Sequence, residues 1–312
     1  MILDSCRRGR TEQAHVLLAE SFTHGMGRME QAEPRIAAAL QDILTRPGSL
    51  VRSVTAYLIG SGLGMAEEAA RAVACGIEYL HTASLVFDDL PAMDDARLRR
   101  GATCVHVTHG ESIAMLAALA LINRGYSLLW QGISRTELAR RAEAGDWVDA
   151  RLGIHGVIGG QAYDLSGWRG GQSAANVTEV AARKTGDLLR LTLVLPAILG
   201  CATRREIQLL DRLANLRGLA YQAADDIKDV FTPVLAAEKS VGRDEELGRP
   251  NLVAAEGLPA ALARFHRLCR AADRVQAALP GPPARWAMLD LLRVPLPATL
   301  AQRQFPVVSA AG

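Results

Sequence analysis

Four carboxylates, Asp88, Asp89, Asp94 and Asp95, stand directly behind the apolar run Leu85-Val86-Phe87 and just ahead of Arg97, Arg99 and Arg100. Far downstream, Asp225, Asp226 and Asp229 close a second run, GLAYQAADDIKDV, where positions four apart share one face of a helix. Acidic runs at helix ends are commonly solvated caps favoured by the helix dipole. Here each pair follows apolar or small residues, Ala223-Ala224 in the second case, where a helix faces the interior and ionised groups need partners. Two such clusters on buried helices repel each other unless cations sit between them. Oxygen ligands with no His or Cys among them favour Mg2+, which completes its shell with water and substrate phosphate, so a diphosphate is the first ligand to suspect.

With 312 residues, 49% of them hydrophobic, the chain can bury a sizeable core in a single domain over residues 1–312. A formal charge of +2 gives no general pull toward nucleic acid or a membrane surface. The five cysteines form no CxxC or CxxxC pair, which argues against a zinc site and a disulfide framework and for reduced thiols in the cytoplasm. The first residues, MILDSCRRGRTEQ, lack the apolar core of a signal peptide. The apolar stretch from Leu188 to Ala202 is broken by Arg190 and Pro196, so no membrane span is expected.

The chain reads as helix almost throughout. Apolar residues recur at three- and four-residue spacing over 11–24 and 29–45, and Arg46-Pro47-Gly48 punctuates them. A helix starting near Ser49 leads, after a glycine-rich turn, to one running into Asp88 and Asp89, which Pro91 should end. ESIAMLAALALINRGYSLLW, apolar on nearly every side, reads as a buried central helix, and residues 134–148 as an exposed connection. His106 and His109 lie three apart with no third ligand in view, which favours a loop role. Gln161 and Asp164 share one helical face, and Gly186 after Lys184-Thr185 weakens its helix by about 1 kcal/mol, which implies close packing or a ligand there. The basic stretch from Thr232 to Asn251, with Lys239, Arg243 and Arg249, has the character of a lid over phosphate, and a loosely held tail is expected over residues 294–312.

The ordered segments HTASLVFDD, DDLPAMDDARLRRG, GGQAYDL, RKTG, GLAYQAADDIKD and KSVGRDEELGRPN resemble the motifs of the polyprenyl synthetase family of trans-isoprenyl diphosphate synthases, most like bacterial geranylgeranyl diphosphate synthases. The resemblance covers nearly the whole chain. It implies an all-α fold, an antiparallel helical bundle around a deep central cavity, with the two aspartate motifs facing each other across its mouth. It also implies a homodimer. Asp88, Asp89 and Asp94 would bind Mg2+ from one side and Asp225, with Asp226 and Asp229, from the other, clamping an allylic diphosphate. Arg99, Lys184 and Lys239 would stabilise the leaving diphosphate, with Arg249 also at the substrate. The resemblance assigns Arg52, His81 and Arg100 to isopentenyl diphosphate, puts Thr185 and Gln222 near the reacting carbons, and makes Asp164 and Gln161 supporting partners.

Where the family commonly carries GGKxxR, this chain reads Pro47-Gly48-Ser49-Leu50-Val51-Arg52, so Ser49 replaces a cation and about 1.5–3 kcal/mol of charge-assisted hydrogen bonding. The change leaves two other readings open: a class I terpene cyclase, which needs no isopentenyl diphosphate, and a non-catalytic partner subunit, against which both intact aspartate motifs argue. In the family the residue five before the first aspartate helps set product length. Here it is Ala83, followed by Ser84, and two small side chains imply growth past farnesyl to geranylgeranyl diphosphate.

Overall fold

The computed structural model describes residues 2–166, 173–231 and 249–296, and among these it is built from helices joined by short turns. In order these are α1 (Ile2–His24), α2 (Pro34–Leu44), α3 (Val51–Gly62), α4 (Glu67–Asp88), α5 (Val105–His109), α6 (Glu111–Ser134), α7 (Leu138–Leu152), α8 (Val157–Leu165), α9 (Ala174–Ala181), α10 (Asp187–Leu199) and α11 (Arg204–Phe231). Two more follow, α12 (Leu252–Glu256) and α13 (Leu258–Ala277), and then a 3-10 helix over Pro283–Leu292. Two-residue strands, β1 (Leu98–Arg99) and β2 (Ala102–Thr103), pair antiparallel after α4, pairing Leu98 with Thr103 and Arg99 with Ala102.

Local chemistry sets the boundaries. The helix expected over 29–45 is split, because Pro34 takes the first turn of α2 and Glu33 caps it by accepting a hydrogen bond from the Ile36 amide at 3.0 Å. Residues 134–148, read from sequence as an exposed connection, instead supply most of α7. Ala144, Val148 and Leu152, four apart, form a buried stripe under an otherwise charged surface. Trp147 lies beneath the guanidinium groups of Arg151 and Arg190, 5.0 and 5.9 Å from its ring centre.

The central buried helix is α10, not α6. Every residue from Leu191 to Leu199 is buried, and Arg190 is held by Asp211 at 2.5 Å and Asp187 at 3.2 Å. Helix α6 buries Ala114, Ala117, Ala118 and Leu121 but leaves Met115, Leu116, Leu119, Tyr126 and Trp130 exposed. Its length and composition alone would let it cross a membrane. Hydropathy does not say which apolar face a chain covers for itself, which is why the sequence reading erred here.

Helices α4 and α6 cross at glycines. A side chain on Gly76 would come within 2.8 Å of the Gly125 carbonyl oxygen, and one on Gly125 within 2.9 Å of Leu80. Backbones this close fix the level of one helix against the other.

Candidate active site

The stripe of α4 that turns inward carries Leu80, His81, Ser84, Leu85 and Asp88, and all five line a cavity of about 720 Å³. Helix α4 ends at Asp88 ahead of Pro91. The chain folds back so that the Asp94 amide donates to the Asp88 carbonyl at 2.9 Å and the Ala96 amide to the Asp89 carbonyl at 3.1 Å. This turn places Asp94 on the cavity wall beside Asp88. Asp89 points elsewhere: it is buried and accepts from Arg99 Nε at 2.7 Å, with Arg99 Nη2 at 2.6 Å.

Helix α11 brings Asp225 and Asp229 to the same cavity. Asp226 lies between them, buried, accepting from Gln222 Nε2 at 2.8 Å and from the Leu252 amide at 2.7 Å. Thr185 Oγ1 donates to Gln222 Oε1 at 3.1 Å, so Thr185, Gln222, Asp226 and α12 form one chain of hydrogen bonds. Lys184 and Thr185 sit in a single π-helical turn, Ala182–Gly186, a local widening that often marks functional positions. Close packing holds that turn: Gly218 leaves room for Gly186, whose Cα is 2.8 Å from where a Gly218 side chain would begin, and Gly160 admits the Lys184 backbone. Lys184 Nζ reaches Asp164 Oδ2 at 2.6 Å. Arg249 is buried and ties the two sides together, donating to the Met93 carbonyl at 2.8 Å, Asp94 Oδ1 at 3.1 Å and the Asp164 carbonyl at 3.2 Å.

Beside this acidic mouth lies a basic recess. Arg52 Nη1 is 3.2 Å from His81 Nε2, and Arg52 Nε, although buried, has no hydrogen-bond partner among the described residues. Burial, then Arg52, Arg100 and Arg99, push the His81 imidazole well below its ordinary range, so it is neutral at pH 7. Arg100, in a left-handed conformation (φ 54°) at the hairpin turn, extends onto Gly48, where any side chain would collide with its guanidinium. Gly48 is itself left-handed (φ 71°), so turn and guanidinium both call for glycine there. Glu78, buried one turn before His81, accepts from the Ser53 amide at 3.3 Å and partly offsets the charge of Arg52.

The donor set fits magnesium. Burial raises the Asp88 carboxyl to about 6; Lys184 offsets part of this and Asp94 adds to it. Burial works against the charge of Lys184, but Asp88 and Asp164 outweigh it and raise its pKa. A cluster whose own cation leaves a carboxylate short of stabilisation is one that added divalent charge would relieve. Among the described residues no three His, Cys, Asp or Glu side chains form a ready-made metal cage. Magnesium asks for one or two carboxylates per ion with water and phosphate completing its shell, and Asp88, Asp94, Asp225 and Asp229 around one cavity offer that.

Residues 33–274 match the family described as polyprenyl synthetase. The chain belongs to that family. It is therefore a prenyltransferase. The geranylgeranyl diphosphate synthase of Pantoea ananas is 31% identical to it over 70% of this chain and 71% of its own length. The farnesyl diphosphate synthase of Escherichia coli is 35% identical over 68% and 71%. Among solved structures, a geranyltransferase from Helicobacter pylori, crystallised with magnesium and isoprenyl diphosphate, superimposes with a TM-score of 0.75 at 25% identity, over 89% of this chain and 94% of that one. An FPP/GFPP synthase from Zymomonas mobilis has the same fold, with a TM-score of 0.75 at 24% identity, over 92% and 96%.

Against the family pattern, this polyprenyl synthetase brings Asp88, Asp94, Asp225, Asp229, Lys184, Thr185, Gln222, Arg52, His81, Arg99 and Arg249 to one cavity. Asp89 and Asp226, expected to bind metal, are turned into ion pairing and hydrogen bonding that hold the hairpin and α12. Ala83, expected on the cavity floor, is wholly buried with Tyr79 and Val86 on the other face of α4, while Ser84 does line the cavity. Lys239 lies outside the described residues, as do Arg243 and most of the expected lid. Sequence reasoning missed Glu78, whose only signal was a carboxylate inside an apolar helix three residues before His81.

Proposed function

We propose that the protein condenses an allylic diphosphate with isopentenyl diphosphate, head to tail and with magnesium, to give geranylgeranyl diphosphate. The observation that carries this is the pairing of Asp88 and Asp94 with Asp225 and Asp229 on one cavity whose basic recess adjoins them. The names of the relatives, geranylgeranyl and farnesyl diphosphate synthases, support it.

In this reading the four carboxylates hold magnesium, which when bound supplies positive charge to the departing diphosphate. Lys184 and Arg249 donate to the oxygens where negative charge collects. The allylic carbon–oxygen bond breaks, its electron pair leaving with diphosphate. The isopentenyl double bond then attacks the allylic cation, and a proton leaves the adjacent carbon for a diphosphate oxygen. Gln222, its amide held by Asp226, aims its dipole with Thr185 at the reacting carbons. Apolar walls that include Leu80, Ile122 and Leu188 keep water from the cation. Arg52, Arg100 and neutral His81 receive the isopentenyl diphosphate without metal. A homodimer fits the exposed α6 stripe, Met115, Leu116, Leu119 and Trp130, which a second copy would cover.

The test is incubation with farnesyl diphosphate, radiolabelled isopentenyl diphosphate and Mg2+, followed by chromatography. Label in a twenty-carbon diphosphate is expected. No incorporation by folded protein, or a product formed without isopentenyl diphosphate, contradicts the reading.

A further inference from the structure

The cavity needs an end wall, and Ala83 does not supply it. Following the walls away from the aspartates leads along α4 to Leu80 and along α6 to Ile122 and Tyr126, with Leu152 and Ile158 on the facing helices. The two glycine contacts give the depth. Gly125 lies against Gly76 and Leu80, and Gly132 lies against Val73, so α6 runs antiparallel to α4 and Tyr126 stands at the level of Gly76. Asp88 is twelve residues further along α4, so the Tyr126 ring lies about 18 Å below the metal-binding mouth at a helical rise of about 1.5 Å per residue. A trans-prenyl chain lengthens by four backbone bonds, roughly 5 Å, per five-carbon unit, from single bonds of about 1.5 Å. Three to four units therefore span from mouth to ring.

Resting on the prenyl-transfer reading, we propose that Tyr126 is the end wall that stops chain growth, deciding product length by its bulk from α6 in place of Ala83 on α4. Its neighbours make it the effective stop. Gly125 and Gly76 let the helices touch, so the α6 backbone cannot retreat toward α4, and of the α6 side chains at that level Tyr126 is the one that lines the cavity. Tyr126 lines the cavity and is 43% exposed as a residue, so its side chain is not locked behind other groups, and truncating it opens the end to a longer tail. Because the effect is steric, the hydroxyl contributes nothing to it.

The experiment compares wild type with Tyr126→Ala, Tyr126→Phe and Tyr126→Trp in the condensation assay, with thermal melting of each protein alongside. Tyr126→Ala is expected to shift most of the product at least one five-carbon unit longer. Tyr126→Phe should leave the distribution as in wild type, and Tyr126→Trp should raise the share of fifteen-carbon product several-fold. If wild type condenses and the alanine variant gives the wild-type distribution, the end-wall assignment is wrong while prenyl transfer stands. If wild type itself incorporates no label, prenyl transfer fails and the assignment with it. Should the alanine variant not fold, an unchanged product from Tyr126→Trp overturns the assignment. A purely structural role would lower the melting temperature and rate without changing product length.

Discussion

The acidic and basic halves of the cavity mouth handle charge in opposite ways. On the acidic side, the lysine nearest Asp88 is itself committed to Asp164, Asp94 pairs with Arg249, and burial leaves the Asp88 carboxyl raised to about 6. On the basic side, Arg52 already has Glu78 close by, and His81 is kept neutral by burial and the surrounding arginines. The first half is completed by cations that arrive with the substrate. The second is arranged before any ligand enters. Metal dependence should therefore belong to the allylic diphosphate, and affinity for isopentenyl diphosphate to fixed protein groups.

Substitutions can break or sharpen that contrast. The largest effect is expected from Asp88→Ala, which should lower kcat by about 10²–10³-fold, the usual scale for losing one element of transition-state charge stabilisation. Steady-state kinetics at saturating Mg2+ would check it, and a near-wild-type kcat would remove Asp88 from the metal side. Next, Arg52→Met should raise KM for isopentenyl diphosphate roughly 10- to 100-fold, from about 1.5–3 kcal/mol per charge-assisted hydrogen bond, with little change in KM for the allylic partner. Equal effects on both would mean that the halves are not separate.

Ser49→Lys restores a cation on the basic side only. Because Ser49 is exposed, its contribution is discounted for solvent, and KM for isopentenyl diphosphate should fall about three- to tenfold. Gly218→Ala presses on the π-helical turn that carries Lys184 and Thr185. It should cost about 1–3 kcal/mol in a denaturant melt and lower kcat, leaving KM for isopentenyl diphosphate near wild type.

The smallest effect concerns Cys104, beside the Asp89–Arg99 pair that holds the hairpin between the halves. Burial pushes its thiol, like that of Cys75, up to about 12, whereas Cys201 is exposed. Alkylation of native protein followed by peptide mass analysis should label Cys201 well before Cys75 or Cys104. Equal labelling of Cys104 and Cys201 would show that the hairpin is not packed as described.

Much of this was legible in the sequence because the signals were local. Pro91 ended α4, the helix start near Ser49 and the glycine-rich turn after it gave α3 and α4, and the carboxylate clusters marked the mouth. Which carboxylate of each pair faces inward was not legible. Asp88 and Asp89 are adjacent in sequence, and only the hairpin, by bringing Arg99 to Asp89, sends one to the cavity and the other to an ion pair. Asp226 is drawn off in the same way by the Leu252 amide, from an element far along the chain. Ala83 does not line the cavity for a rotational reason: it shares its face of α4 with Tyr79 and Val86, which pack with Phe22. Helix α7 was hidden because three apolar residues suffice to bury it among many charged ones.

The central claim is that Asp88 and Asp225 serve one shared ligand, and a double-mutant cycle on Mg2+-dependent binding tests it most directly. Calorimetric titration of a non-ionising farnesyl thiolodiphosphate into wild type, Asp88→Ala, Asp225→Ala and the double variant should show each single change abolishing most of the magnesium-dependent affinity. The double variant should then lose about tenfold less than the two single losses combined, as groups acting on one site do. Losses that simply add, or an Asp225→Ala protein that binds like wild type, would contradict a common site.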